Sequence, residues 1–415
     1  MLDRVLARHD PGYPRSGSPM IALPMVVLSA ALLLSGGCAL HPLAVDGSSA
    51  ALSITPRMLL EGQPLTGGIE PAPLPATDIL GLDDDMRRFV AGHVPDGGPD
   101  QWRLRLLLKA LLRNANERIE YDDHTYTAAE AFHLRRANCL GYTNLFVALA
   151  RDAGLAVHFQ EVDVPPDWSR SAAGFVQSRH VNTLVTAGDG SERVVDFNLP
   201  DFRASYPRRV ISDARAAAHF YSNIGVERME AGNTTGALLN FRKAIALDDT
   251  FDAAWINLGA LYSRNGHREH AEAAWRHVLE LEPRAYIAMS NLERLYRHTG
   301  RLAAADRLAD RIERFRNANP YWRFHLAGNA FGRGDYPGAI GHLKAAIREK
   351  PDDDRFYALM ALAWERQGDT AKAREWMARA ESVAADGQLK DHYHGKLERL
   401  KSAALGLDEA GTAGG

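Results

Sequence analysis

The chain of 415 residues holds two cysteines, Cys38 and Cys139. Two thiols cannot build a disulfide framework or a four-cysteine zinc site. Cys139 follows Asn138 and opens a stretch that reads as a helix ending before Gly154, with Leu145, Phe146, Leu149 and Ala153 turned to the core. A thiol at a helix N-terminus has its thiolate favoured by the helix dipole. Further on, His180-Val181-Asn182-Thr183-Leu184-Val185 and Arg193-Val194-Val195-Asp196-Phe197-Asn198 flank Ala187-Gly188-Asp189-Gly190. Two apolar runs around a Gly-Asp-Gly turn predict a β-hairpin. Residue 188 is midway between His180 and Asp196, which predicts cross-strand neighbours on one face. A histidine facing a thiol takes its proton and later delivers it to a leaving group. An aspartate beside that histidine fixes its tautomer and stabilises the imidazolium. The chemistry of such a set is acyl transfer through a thioester, which needs no cofactor. No Cys-x-x-Cys or His-x-x-x-His pattern points to a metal. His124, His133 and His158 lack a carboxylate opposite them on a predicted strand and read as surface or packing residues.

The words Asn138-Cys139-Leu140-Gly141-Tyr142, Ser178-Arg179-His180-Val181 and Arg193-Val194-Val195-Asp196-Phe197 resemble the three motifs of the transglutaminase-like superfamily, whose fold is related to the papain-like cysteine proteases. The resemblance covers about residues 83–207. It implies an α+β papain/transglutaminase-like domain over 83–210, with Cys139 as nucleophile, His180 as base and Asp196 as orienting acid. The backbone N–H of Cys139 is one candidate oxyanion donor by geometry.

These residues need elements to hold them. Asp100 to Asn116 reads as a helix with a wide apolar stripe, and Thr127-Ala128-Ala129-Glu130 as a capping box opening another. Beyond Arg215 the pattern is helical and repetitive. Glycines recur at Gly232, Gly266, Gly300, Gly334 and Gly368, thirty-four residues apart, and alanines at Ala237, Ala271, Ala305, Ala339 and Ala373 on the same period. Gly225, Gly259, Ala327 and Ala361 fill one slot of the first helices, with Glu293 the exception. This period resembles the tetratricopeptide repeat. The second unit fits it best, with Trp255, Leu258, Gly259, Tyr262, Gly266, Ala271, Trp275 and Pro283. Five repeats are expected at 218–251, 252–285, 286–319, 320–353 and 354–387, together an all-α solenoid. A capping helix at 388–403 and a disordered tail at 404–415 follow.

By that resemblance the first helix of each repeat lines a concave groove for a protein or peptide partner. Asn223, Asn257 and Asn291 recur on the thirty-four-residue period, and asparagine is a poor mid-helix residue. Two readings stand: a ladder that hydrogen-bonds the backbone of a bound chain, or packing between repeats. His325 and Leu359 break the ladder, which predicts a groove that is polar near the thiol-bearing domain and apolar at its far end.

At the other end, Met20 to Leu34 is a short apolar run behind Arg4, Arg8 and Arg15 and before Ser35-Gly36-Gly37. It is too short to span a membrane and describes a signal peptide over 1–37. Met1 and Met20 are both possible starts. Leu34-Ser35-Gly36-Gly37-Cys38 resembles the lipobox of bacterial lipoproteins, with Ser35 where that family usually has Leu. The resemblance implies lipidation of Cys38, and Ala39 beside it implies an outer-membrane, periplasm-facing location; the alternative is ordinary cleavage near Gly37. Residues 38–82, rich in Pro, Gly, Ser and Ala, read as a tether, mostly extended.

Composition bounds the function. With 46% hydrophobic and 24% charged residues the chain is globular. Forty-nine Lys plus Arg against fifty-two Asp plus Glu gives a net charge of −3, without the basic excess a nucleic-acid binder needs. The expected function is an envelope cysteine acyl-transfer enzyme, by hydrolysis or transamidation, whose repeats recruit protein or peptide partners. The alternative is a non-catalytic envelope adaptor in which both domains bind partners.

Overall fold

The computed structural model describes residues 6–8, 53–68, 72–113, 119–163, 180–197, 206–384 and 387–404. Cys38 and most of the expected signal peptide lie outside these residues, as does the tail beyond 404.

Strand β1 (Leu6–Arg8) comes first and pairs with a later strand of the sheet, within the stretch expected as a signal peptide, whose cleavage would remove it. The Thr55 side chain then accepts the N–H of Met58 and starts helix α1 (Pro56–Glu61), which Gly62 closes at φ 69° before α2 (Gln63–Thr66). Pro56 sits where a helix has no use for its missing N–H. Asp83 caps α3 (Asp84–His93), and α4 (Asp100–Arg113) follows. Strand β2 (Glu120–Tyr121) lies parallel to β3 (Arg136–Ala137). Between them runs α5 (Ala128–Leu134), opened by a reciprocal Thr127–Glu130 capping box. Then come α6 (Cys139–Asp152), β4 (Ala156–Val162), β5 (His180–Thr186), β6 (Glu192–Val195) and β7 (Arg208–Ile211). The sheet order is β1-β6-β5-β4-β7, every pair antiparallel. Val157, Phe159, Val181, Val185 and Val195 alternate onto one face and join Leu145, Phe146 and Leu149 of α6 in the core.

The solenoid begins with α7 (Asp213–Glu230) and α8 (Thr234–Leu247). It continues as α9 (Asp252–Arg264) with α10 (Arg268–Leu281), and α11 (Tyr286–His298) with α12 (Leu302–Ala318). The next pairs are α13 (Pro320–Gly332) with α14 (Tyr336–Glu349), and α15 (Asp354–Arg366) with α16 (Thr370–Val383), before α17 (Gly387–Ala404). Between the helices of each pair the periodic glycine adopts φ of 74° to 84°, a conformation that costs other residues.

One expectation is corrected. Residues 53–68 and 72–82 are not a free tether. Leu59 is fully buried, its carbonyl accepts the Tyr262 hydroxyl at 2.6 Å, and the N–H of Thr77 reaches the Tyr221 hydroxyl at 2.9 Å. The apolar residues of α1 found a place on the first two repeats, so the Pro and Gly there mark turns. The sheet-bearing part and the first three repeats share one core. One apolar cluster runs from Leu59 through α6 and the sheet to Ile312, and a second starts at Ala327. A first break in the core falls between the third and fourth repeats, and a third cluster begins within the fifth at Tyr357.

A buried ion cluster joins sheet to solenoid. Glu161 of β4 accepts from Arg209 at 2.7 Å, Arg215 at 2.7 Å and His219 at 2.7 Å, and Arg215 reaches on to Asp248 at 2.9 Å. Burial pushes the Glu161 carboxyl up. The hydrogen bonds and charges of His219 and Arg215 overrule it and hold Glu161 far below the usual carboxylate range.

Candidate active site

Cys139 is the first residue of α6 and is half-buried. Asn138 makes this a sharp helix start. Its side-chain oxygen accepts the N–H of Gly141 at 2.8 Å, and its amide donates to the Thr125 hydroxyl at 2.7 Å. The N–H of Cys139 has no partner within the helix, as at any first position. Thr143, one turn on, donates to the Cys139 carbonyl at 2.8 Å and lies 3.3 Å from the carbonyl of Val181. That residue adjoins His180, so Thr143 fixes the helix start against the beginning of β5.

His180 and Asp196 meet as expected, but not in the expected register. The pairs Thr183↔Val195 and Val185↔Arg193 centre the hairpin on residue 189, two positions of pairing away from a direct His180–Asp196 opposition. A slip of two keeps side chains on the same face, whereas a slip of one would have reversed them. His180 therefore reaches Asp196 diagonally, Nε2 donating to Oδ2 at 2.7 Å. Residue Asn182, opposite Asp196 in this register, donates to the same oxygen at 2.8 Å. Asn182 and Asp196 are buried, and the His180 side chain is 9% exposed.

With Nε2 taken by Asp196, Nδ1 is the ring nitrogen left for Cys139. Burial alone would lower the His180 pKa. Hydrogen bonds to Asp196 and to Cys139, with the charges of both, lift it to about 9. Phe197, next after Asp196, stacks on Tyr142 with ring centroids 3.9 Å apart and meets Phe146 edge-on. This stack ties the end of β6 to the first turns of α6. Tyr121 is 71% exposed, and its phenol is pushed up by desolvation and by the charge of Cys139. The structure thus brings Cys139, His180 and Asp196 together and adds Asn182, Thr143, Phe197 and Tyr121. Sequence spacing carried a signal for Asn182 alone, had the hairpin register been known.

The other candidate residues fare differently. Asn257 and Asn291 are buried, and Asn257 donates to the Ser222 hydroxyl at 3.1 Å across to α7. The ladder reading is corrected for these two, because a side chain sealed between repeats cannot reach a bound chain. Asn223 is half-buried. Where an apolar far end is expected, at the junction of the fourth and fifth repeats, Arg355 and the buried Asp353 form a bidentate pair among aromatic rings. His133 and His124 do face carboxylates, Asp83 at 2.6 Å and Glu227, contacts between distant segments that no strand pairing announces.

Tetratricopeptide-repeat family models match residues 252–284 and 330–396. The photosystem I assembly protein Ycf3 of Rippkaea orientalis (strain PCC 8801 / RF-1) is 28% identical over 141 residues, which cover 32% of this chain and 79% of that protein. Similar solved structures include MamA, 20% identical over 40% of this chain and 91% of its own, with a TM-score of 0.23. YrrB, described as a TPR protein with an unusual peptide-binding site, is 17% identical over 43% of this chain and 92% of its own, with a TM-score of 0.23. Pseudomonas aeruginosa pilF is 15% identical over 48% of this chain and 98% of its own, with a TM-score of 0.24. The chain carries tetratricopeptide repeats, modules of protein–protein interaction.

Proposed function

We propose that this protein performs acyl transfer at Cys139 on a protein or peptide amide that its repeats help to recruit, in a transglutaminase-like arrangement. The observation that carries the reading is His180 held at 2.7 Å from a buried Asp196, with its pKa raised by Asp196 and by Cys139 at a helix start. In this scheme Nδ1 of His180 takes the thiol proton as the sulfur attacks the amide carbonyl, forming the C–S bond. The C–N bond then breaks as Nδ1 of His180 gives its proton to the departing amine. Water or a second amine, its proton taken by the same nitrogen, cleaves the thioester and restores the thiol. Asp196 keeps the ring oriented throughout and stabilises its charge.

An activated ester probe tests this. Native protein is expected to be acylated at Cys139 at least ten times faster than the denatured chain, and a His180→Ala variant to lose that advantage. Equal rates in folded and denatured protein would remove the reading.

A second reading, a non-catalytic adaptor, is favoured by the family matches, which concern protein interaction and no chemistry. A Cys139→Ala copy, tested in cells lacking the wild type, separates the two. Full function points to the adaptor; lost function at unchanged stability and partner binding points to the enzyme. Envelope location through a lipidated Cys38 belongs to the same proposal, and mass spectrometry of the mature N-terminus tests it.

A further inference from the structure

Tyr206 leaves the sheet-bearing part of the chain and enters the solenoid. It directly precedes Pro207 and β7, and it is buried, 7% exposed, although no helix or strand of its own holds it. Its ring meets Tyr321 edge-on, centroids 5.8 Å apart and planes at 84°. Its hydroxyl accepts an N–H from Nη1 of Arg355 at 2.8 Å. Tyr321 and Arg355 each stand second in a repeat, the fourth and the fifth, thirty-four residues apart.

The pocket is preorganised. Asp353, fully buried, takes Nε of Arg355 at 2.8 Å and Nη2 at 2.6 Å, which leaves Nη1 aimed at the phenol. Phe324 and Phe356 pack beside the guanidinium and Tyr321. The Tyr321 hydroxyl is buried and has no hydrogen-bond partner among the described residues, so Tyr206 leaves part of the pocket's polar capacity unused. Tyr206 is attached to β7 on one side and seated against the fourth and fifth repeats on the other.

We infer that this aromatic–arginine pocket is a recognition site for a tyrosine-bearing peptide segment, and that Tyr206 occupies it in cis until a partner's tyrosine replaces it. The arginine reads the phenol oxygen, and the edge-on ring and flanking phenylalanines read the aromatic body. A tethered occupant acts at an effective concentration on the order of millimolar. A free segment must therefore outcompete it, and weak, unspecific segments do not. The inference goes beyond the acyl-transfer reading and does not depend on Cys139.

The test uses the full chain and an N-acetylated peptide with the sequence of residues 206–211, carrying a fluorophore on an added C-terminal lysine. Fluorescence anisotropy is expected to show binding to the Tyr206→Ala protein at least ten-fold tighter than to wild type. The same peptide with alanine in place of its tyrosine should bind that variant at least ten-fold more weakly, and adding Arg355→Ala to Tyr206→Ala should abolish the gain. If Tyr206→Ala loses its cooperative melt, Tyr206→Phe carries the test. That variant keeps the ring, gives up the bond to Arg355, and should bind several-fold tighter than wild type. Equal affinity for wild type and variants, or indifference to the peptide's tyrosine, would overturn the inference. Acylation of Cys139 in the same samples is a separate readout, so failure of the thiol chemistry and failure of the pocket are told apart.

Discussion

Asn182 donates to Oδ2 of Asp196 at 2.8 Å, the same oxygen that receives the proton of His180 at 2.7 Å. One carboxylate oxygen thus holds two partners on one strand, and Asn182 fixes where that oxygen lies. Asn182→Ala removes a buried, charge-assisted hydrogen bond worth about 1.5–3 kcal/mol, or roughly ten- to a hundred-fold in acylation rate. The expected outcome is a fall of that size in kcat with KM little changed, measured with an amide or ester substrate. A drop confined to KM would assign Asn182 to substrate binding instead.

Folding raises His180 from 6.5 to about 9. A raised base stabilises the fold fully below about pH 6.5, and that contribution is lost as pH rises through 9. Urea midpoints of the wild type should therefore fall between pH 6.5 and 9.5, and the fall should flatten in His180→Gln. Amide turnover should decline above pH 9, where the ring no longer holds the proton that the leaving amine needs.

Glu161 is the one acid shared by Arg209, Arg215 and His219. Glu161→Ala strands Arg215 and His219 in the interior, 8% and 3% exposed, at a cost of about 3–5 kcal/mol. Chemical denaturation should show that loss. Because folding lowers the Glu161 pKa, its contribution is present above about pH 4.5 and disappears as pH falls below that. The difference between wild type and variant should therefore shrink in acid.

A Cβ on Gly259 would overlap the indole of Trp275, which is 1% exposed and donates to the Ile256 carbonyl at 3.0 Å. Gly259→Ala forces the helices of the second repeat apart, and overpacking of this kind costs about 1–3 kcal/mol. Thermal melts should register it as a lower Tm. Gly341→Ala, where an added Cβ meets nothing within 4 Å, serves as the control and should leave Tm unchanged or slightly higher.

The repeats were legible because their signal is local. A glycine every thirty-four residues marks a turn that needs positive φ, and Gly232, Gly266, Gly300, Gly334 and Gly368 all adopt it. The meeting of His180 and Asp196 was legible because a hairpin is a short-range feature, and Cys139 was joined to them by the resemblance of its motif. What escaped depends on contacts between distant segments. The hairpin's two-residue slip brought Asn182 to Asp196, and nothing in the turn sequence fixes that register. Proline and glycine near residue 60 look alike in a tether and in a capped helix, and only the buried Leu59 distinguishes them. Asn257 and Asn291 show the converse. A periodic polar residue marks a shared environment, and here that environment is the interior between helices.

The seat of α1 on the repeats sets a path for mechanical load. Tension arriving along the chain towards residue 53 meets Leu59 and the Tyr262 hydroxyl before it can reach the helix that carries Cys139. The second repeat would take up the strain first, and the geometry around the sulfur would be shielded from it. The shield covers load that arrives by way of residue 53; load on β1 passes directly to β6, beside Asp196.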